Sequence, residues 1–301
     1  MLPSPSHAVI GATDLQATIT YLKLFGFEVQ ARATLPAPAA AALYGLETAT
    51  EEVLLAVPGA DRGWLRLVAT PNPRPPMAPL DSRAFAIDLF STDLARTADL
   101  ATAAGYKVSP AATHHFGPMT IGELGVRGPN DLNVTLLEQT AGRRPSVLDS
   151  DPDRLHSELH AFVWSVKNPD ALIPFWEETA QLEKLTDFTF DSPDMAPVLG
   201  VEGDSLRLRL VVFADAESSP ARLELIEFVD QPAEEPVLFP LVGGLFAPAF
   251  DVESLEDARG ALAGAVFEKI VGVDTAVHPA GRALVGRAPG GLHFELWDRN
   301  S

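Results

Sequence analysis

The sequence contains no cysteine. That one absence removes disulfide cross-links, thiolate metal sites and a thiol nucleophile together. Basic residues are scarce: 22 Lys and Arg face 41 Asp and Glu, a formal net charge of −19. Contact with a phosphate backbone needs a basic patch, so this balance argues against nucleic acid as a partner and disfavours an anionic membrane surface. No apolar run reaches about 18 residues, and positions 1–6 carry neither a basic leader nor an apolar stretch. The expectation is a cytoplasmic protein without a membrane partner. What is present is a chain of 301 residues, 47% of them hydrophobic, which is too apolar for disorder and long enough for two domains.

Four segments follow one plan. The first opens with an apolar strand from His7 to Thr13. Asp14 stands in a helix N-cap position, an apolar face at helical spacing runs through Ile19 and Leu22, and Gly26 stops it before Phe27-Glu28-Val29. A Pro- and Ala-rich stretch follows, then strands over 53–57 and 65–69. The second copy starts at Phe85, caps at Asp93 and stops at Gly105, and Pro129-Asn130-Asp131 turns into its last strand. The third opens over 160–166, with Asn168 in the cap position and a helix carrying Ile173, Phe175 and Trp176, and closes over 222–228. The fourth opens over 245–252, caps near Ser254, and ends Pro289-Gly290-Gly291-Leu292-His293-Phe294-Glu295-Leu296-Trp297. From first strand to last the copies span roughly 60, 50, 64 and 49 residues, a long-short alternation that reads as a duplicated pair of modules. Turn formers and charge over 141–153 mark the joint. The expected domains are 1–142 (modules about 5–72 and 82–140) and 155–301 (modules about 157–230 and 243–300).

This plan resembles the vicinal oxygen chelate superfamily, which includes glyoxalase I, bleomycin resistance proteins and type I extradiol dioxygenases. The residues that carry the resemblance are His7, Asp14-Leu15 and Gly26-Phe27 at one end and Pro289-Gly290-Gly291 with Glu295-Leu296 at the other. The resemblance implies an α+β fold of four βαβββ modules, paired into two domains whose curled mixed sheets form cups with helices outside. It also implies metal ligands on first and last strands, where alternation turns one face to the helices and the other into the cup.

Carried over position by position, the ligand pattern is incomplete. The first module offers His7, but Arg66 stands at its last-strand place. The second has Ala86 and Thr135. The third has Ala161, with His160 one residue away, and Glu224. The fourth has Ala247 or Phe246 with Glu295. The resemblance therefore implies a divalent metal (Fe, Mn, Zn or Ni) held by His160 or His7 with Glu224 and Glu295, either carboxylate left free serving as base. In some four-module relatives the first and fourth modules share a cup, and with that pairing His7 and Glu295 would meet. His293, Trp297 and Asp251 would line the cup, and Asp88 falls on a cup face as well. Whether His160 enters the cup turns on a one-residue register shift, because a slip of one reverses every side chain. Adjacent His114 and His115 point to opposite faces and cannot readily share an ion, and His156 and His278 read as surface residues.

Two readings stay open. In the first the chain is a glyoxalase/dioxygenase-type enzyme acting through that metal on a small organic molecule, aromatic compounds included. In the second it is a metal-free small-molecule binding or resistance protein, its cup lined by Trp164, Trp176 or Trp297. In both, the second domain is expected to hold the working site, and the first to be structural or dimerising, so that a homodimer is among the expected partners.

Overall fold

The computed structural model describes residues 2–75, 81–116, 119–139, 142–192, 194–200, 206–215, 221–229, 231 and 239–299; Ala141, in the expected joint, lies outside them. The first module comprises β1 (His7–Ala12), α1 (Leu15–Lys23), β2 (Glu28–Leu35), α2 (Ala37–Tyr44), β3 (Thr50–Ala56) and β4 (Trp64–Ala69). The second comprises β5 (Arg83–Ser91), α3 (Leu94–Ala103), β6 (Lys107–Val108), β7 (Ala112–Phe116), β8 (Met119–Arg127) and β9 (Asn133–Gln139). A short α4 (Val147–Ser150) leads to the third: β10 (His156–Ser165), β11 (Glu183–Ser192), α5 (Met195–Leu199), β12 (Leu206–Ala214) and β13 (Arg222–Phe228). The fourth holds β14 (Gly244–Val252), α6 (Leu255–Ala261), β15 (Val266–Phe267), β16 (Val271–Val273), β17 (Gly281–Arg287) and β18 (His293–Arg299).

Local chemistry explains most boundaries. Asp14 and Asp93 accept the backbone N–H of Ala17 and Arg96, capping α1 and α3, and Ser254 caps α6 through Asp257. The turns before β9 and β18 each need a left-handed second residue. Asn130 (φ 56°) and Gly290 (φ 77°) provide it, both being types that tolerate that conformation.

Two elements depart from expectation. The Pro- and Ala-rich stretch forms α2: proline near its start is harmless, alanine favours the helix, and Gly45 ends it in the left-handed conformation. The helix expected around Phe175 is instead a 3-10 turn (Pro169–Ala171) followed by a π turn (Phe175–Thr179). Pro169 follows the cap position and is harmless there, but Pro174 lacks the N–H that a regular ladder would need in the second turn.

The strands form two curled mixed sheets. One runs β15-β17-β18-β14-β1-β4-β3-β2, and the other β11-β12-β13-β10-β5-β9-β8-β6, with β16 and β7 pairing onto β17 and β8. The first module thus shares a sheet with the fourth, through antiparallel β1 and β14, and the second with the third, through antiparallel β5 and β10. Of the two pairings open from the sequence, the sheets follow the one in which the first and fourth modules share a cup, not the one that closes each cup from consecutive modules. Hydrogen-bonded sheets cross the expected joint near 142–155, and α4 packs there with Val147 and Leu148 buried. One core draws on all four modules, through Ile10, Leu65, Ile87, Leu136, Phe162, Leu225, Phe250 and Phe294, and takes in Ile19, Leu22 and Leu255 from the helices. Trp164 and Trp176 belong to this core, 5.6 Å apart ring to ring, and not to either cup.

Candidate functional site: two cups, one filled and one open

The alternation expected for the last strand holds in β18. Phe294 and Leu296 enter the shared core, while Trp297 lies in a second cluster with Val9, Ala247, Ala249 and Val285 that fills the cup of the first and fourth modules. Helix α2 plugs this cup with Ala39, Ala40, Leu43 and Tyr44. At its centre lies Arg66, fully buried with Glu52 and Glu295. Its Nε and Nη2 donate to Glu52 Oε2 at 3.0 and 2.6 Å, and Nη1 donates to Glu295 Oε2 at 3.1 Å and to the Tyr44 hydroxyl at 2.5 Å. Tyr44 donates to Glu295 Oε1 at 2.6 Å, Trp297 Nε1 donates to Oε2 at 2.8 Å, and Thr275 donates to Glu52 Oε1 at 2.6 Å. The guanidinium also lies 4.8 Å from the Trp297 ring. Burial opposes the Arg66 charge, but Tyr44, Glu52 and Glu295 outweigh it and raise the guanidinium pKa. Burial raises that of Glu295, with Arg66, Tyr44 and Trp297 pulling it back. Each charge here has its partners, the condition under which a buried ion network is tolerated.

His7 shares this cup. It is wholly buried, its Nδ1 is 3.0 Å from Ser6 Oγ, and its ring lies 5.6 Å from His278 and 6.4 Å from Trp297. His278, expected at the surface, is buried and stacked on Trp297 at 3.7 Å. Ser6 Oγ donates to Asp251 at 3.2 Å. His293 stacks on Phe246 at 5.0 Å, and burial, aided by Arg287, pushes its pKa down to about 4.

The cup of the second and third modules is open, with a cavity of about 620 Å³, within the range of small-molecule sites. Its wall is apolar, including Phe188, Leu208 and Val212, and α5 contributes Met195 and Leu199. Its polar groups include Asp88, Glu123, Thr135, His160, Arg222 and Glu224, with Arg209, which pairs with Asp170 and Asp187, also on the wall. His160 arrives there by a bulge. Leu159 pairs with Leu89 and Ala161 with Asp88, so β10 spends one more residue than β5, and His160 lines the cavity while Leu159 stays in the core. Its ring centre is 3.8 Å from that of Phe90. Burial, then Glu224 and Glu123, hold the Asp88 pKa well above the usual carboxylate range, against the pull of Thr135 and Arg222. Burial and Glu224 push Glu123 up to about 8. Burial lifts Glu224 to about 7, against Arg222. Desolvation lowers the Arg222 pKa. Carboxylates that share a dry site cannot all ionise at once, and protons bind to relieve them.

The site expected to join His160, Glu224 and Glu295 therefore divides: His160 and Glu224 line the open cup, and Glu295 and His7 sit in the filled one. The residues present do not fit a metal. Both oxygens of Glu295 already accept hydrogen bonds, and a guanidinium occupies the last-strand ligand place of the first module. In the open cup the second module's ligand places hold Ala86 and Thr135, and among the described residues no group of three or more His, Asp or Glu is arranged to hold an ion.

Residues 4–136 match the family model of the Glyoxalase/Bleomycin resistance protein/Dioxygenase superfamily. This part of the chain belongs to that superfamily. The whole chain has its fold, as solved structures show. Glyoxalase I from Zea mays aligns over 98% of this chain and 92% of its own, at 15% identity and a TM-score of 0.64. A putative dioxygenase from Bacillus subtilis aligns over 100% and 86%, at 14% identity and a TM-score of 0.65. A search of the curated proteins gives no match. Superfamily members usually bind a divalent metal, which makes the donor set here a departure. No helix among the described residues is long and apolar enough to cross a membrane.

Three site residues escaped the sequence reading. Tyr44 sits on the unforeseen α2, and Glu52 is one of two adjacent glutamates whose inward member only the strand register selects. Glu123 lies on β8, a strand that alternation over Ile121, Glu123 and Gly125 would have brought to notice. His156 was expected at the surface. It begins β10, is buried, and has Nε2 2.9 Å from Thr97 Oγ1.

Proposed function

We propose that this chain is a small-molecule protein of the glyoxalase/dioxygenase type that works without a metal, with its ligand in the cup of the second and third modules. One observation carries the reading: a cavity of about 620 Å³ with an apolar wall and a carboxylate floor, whose donors do not make an ion site. Such a wall removes apolar ligand surface from water at roughly 25 cal/mol per Å², while a few polar groups fix orientation. The ligand is a compact organic molecule with a polar end directed at Asp88, Glu123 and Glu224. The cup lies within one chain, so binding needs no second subunit.

The raised carboxylates favour a second, catalytic reading. Glu224 and Glu123 titrate near neutral pH, where a group serves best as general base or acid, so the cup is equipped for proton transfer of the isomerase or lyase kind. Elemental analysis and ligand-observed NMR on the purified protein test the first reading. The expectation is apolar small molecules that bind in the absence of metal and are displaced from Leu208→Trp, which fills the cavity. A stoichiometric ion whose removal by chelator abolishes binding overturns it. Hydrogen–deuterium exchange into a bound carbonyl compound, lost in Glu224→Gln, would establish the second.

A further inference from the structure

The duplication lets one cup be read with the other. Val9 pairs with Arg66 and Val163 with Glu224, and Val9 and Val163 each stand five positions before their cap residues, Asp14 and Asn168. Arg66 and Glu224 therefore occupy equivalent places. On the other half of each cup Ala249 pairs with Glu295 and Asp88 with Thr135, five positions before Ser254 and Asp93, so Ala249 corresponds to Asp88 and Glu295 to Thr135. Glu123 faces Leu137 and Ala283 faces Trp297, which makes Glu123 and Ala283 equivalent too.

Charge follows from this correspondence. In the filled cup two carboxylates enclose a guanidinium that the chain itself supplies. In the open cup the place of that guanidinium is taken by the Glu224 carboxylate, and two places that hold alanine in the filled cup hold Asp88 and Glu123. Arg222 faces these acids and offsets one of the three, while a second arginine on the cavity, Arg209, is held by Asp170 and Asp187. Asp88 is 5% exposed and borders a cavity large enough for an organic ligand. The chain thus builds the same cup twice, once around its own guanidinium, and once around a space with more carboxyl groups than Arg222 can offset.

We propose that the open cup takes an organic cation, an ammonium or amidinium group carried on a compact apolar body, with the charged end between Asp88, Glu123 and Glu224 and the body against Phe188, Leu208 and Val212. This rests on the open cup being the ligand site and names its ligand class. Charge-assisted hydrogen bonds from a planar or tetrahedral cation to carboxylates in a dry cavity are strong, and a neutral molecule of the same shape forgoes them. An anion of that shape meets like charge. Entry of the cation also favours the ionised carboxylates, so binding releases protons at neutral pH.

Titration calorimetry and ligand-observed NMR with benzamidine, benzamide and benzoate on the full chain decide this. Benzamidine should bind at least about tenfold more tightly than benzamide, a margin of about 1.4 kcal/mol, with benzoate weakest. Its heat should depend on the ionisation enthalpy of the buffer, as proton release requires. Glu224→Gln and Asp88→Asn should each reduce the preference for benzamidine over benzamide, with an unchanged circular dichroism spectrum showing that the variants fold. Equal binding of benzamidine and benzamide, or tighter binding of benzoate, overturns the cation and leaves the cup as a ligand site. Failure of all three probes to bind overturns both readings.

Discussion

In the cup of the first and fourth modules a guanidinium lies between two carboxylates, under a helix that closes the space. In the cup of the second and third modules a carboxylate stands at the guanidinium's position, and a cavity remains. The strands that carry these side chains pair in equivalent registers, so the scaffold did not decide which cup would be filled. A few side chains did: Arg66 against Glu224, Glu295 against Thr135, and the eight-residue α2 against the five-residue α5. A βαβββ sheet is a neutral frame, and the charge placed on its concave face determines whether it becomes core or site.

The strongest way to break the comparison is to remove the built-in cation. Arg66→Ala leaves Glu52 and Glu295 buried without it and should cost about 3–5 kcal/mol in urea unfolding. Adding Glu52→Gln and Glu295→Gln to Arg66→Met should recover most of that loss. A single variant that loses under about 1 kcal/mol would mean that the network contributes little. Glu295→Gln alone keeps shape but weakens three hydrogen bonds and should cost about 1–3 kcal/mol, with no change in metal content.

The open cup should betray itself through pH. Glu123 and Glu224 have folded pKa values above their unfolded ones, so the folded state binds more protons and stability falls as pH rises through 7 to 8. Burial depresses His156 and His293 to about 4, so below about 6.5 the unfolded state gains their protons first and the carboxyl gain on acidification is offset there. Going from pH 8.5 to 6.5 the protein should therefore gain stability, by up to ~1.4 kcal/mol per pH unit for each carboxyl proton taken up. Glu123→Gln should flatten that rise, and an unchanged slope in chemical denaturation would remove the carboxyl group from this role. The smallest effects test whether the frames are alike. Asp14→Ala in one sheet and Asp93→Ala in the other should each cost about 1 kcal/mol, and a marked inequality would show that the frames differ.

The repeated module was legible in the sequence because caps, glycine stops and alternating strands are local signals. Glu295, His293 and Trp297 could be given a common face for the same reason. Partnership could not be read this way: nothing local states that β1 seeks β14 and not a strand of the second module, and so His7 and Glu224 were candidates for a common site that the sheets keep apart. His160 hinged on a bulge, a one-residue event set by the pairing of β10 with β5. Arg66 was visible at a ligand position but read as a loss of function. Its meaning depends on Glu52 and Tyr44, which tertiary structure alone brings to it.

The nesting of the modules also orders events in time. Strands β5 to β13 occupy one continuous stretch, so the open cup has all its strands once Phe228 has left the ribosome. The filled cup must wait for the last strand, and its seam joins residues as distant as Ser6 and Ala249, 243 positions apart. Closing so long a loop adds little to the equilibrium cost, about 0.6 kcal/mol per doubling of length, but such distant contacts slow folding. Until β18 arrives, Arg66 lacks Glu295. The half of the protein proposed to meet a ligand is thus the half that can assemble early, and the ion network is the late clasp that fastens the chain's two ends.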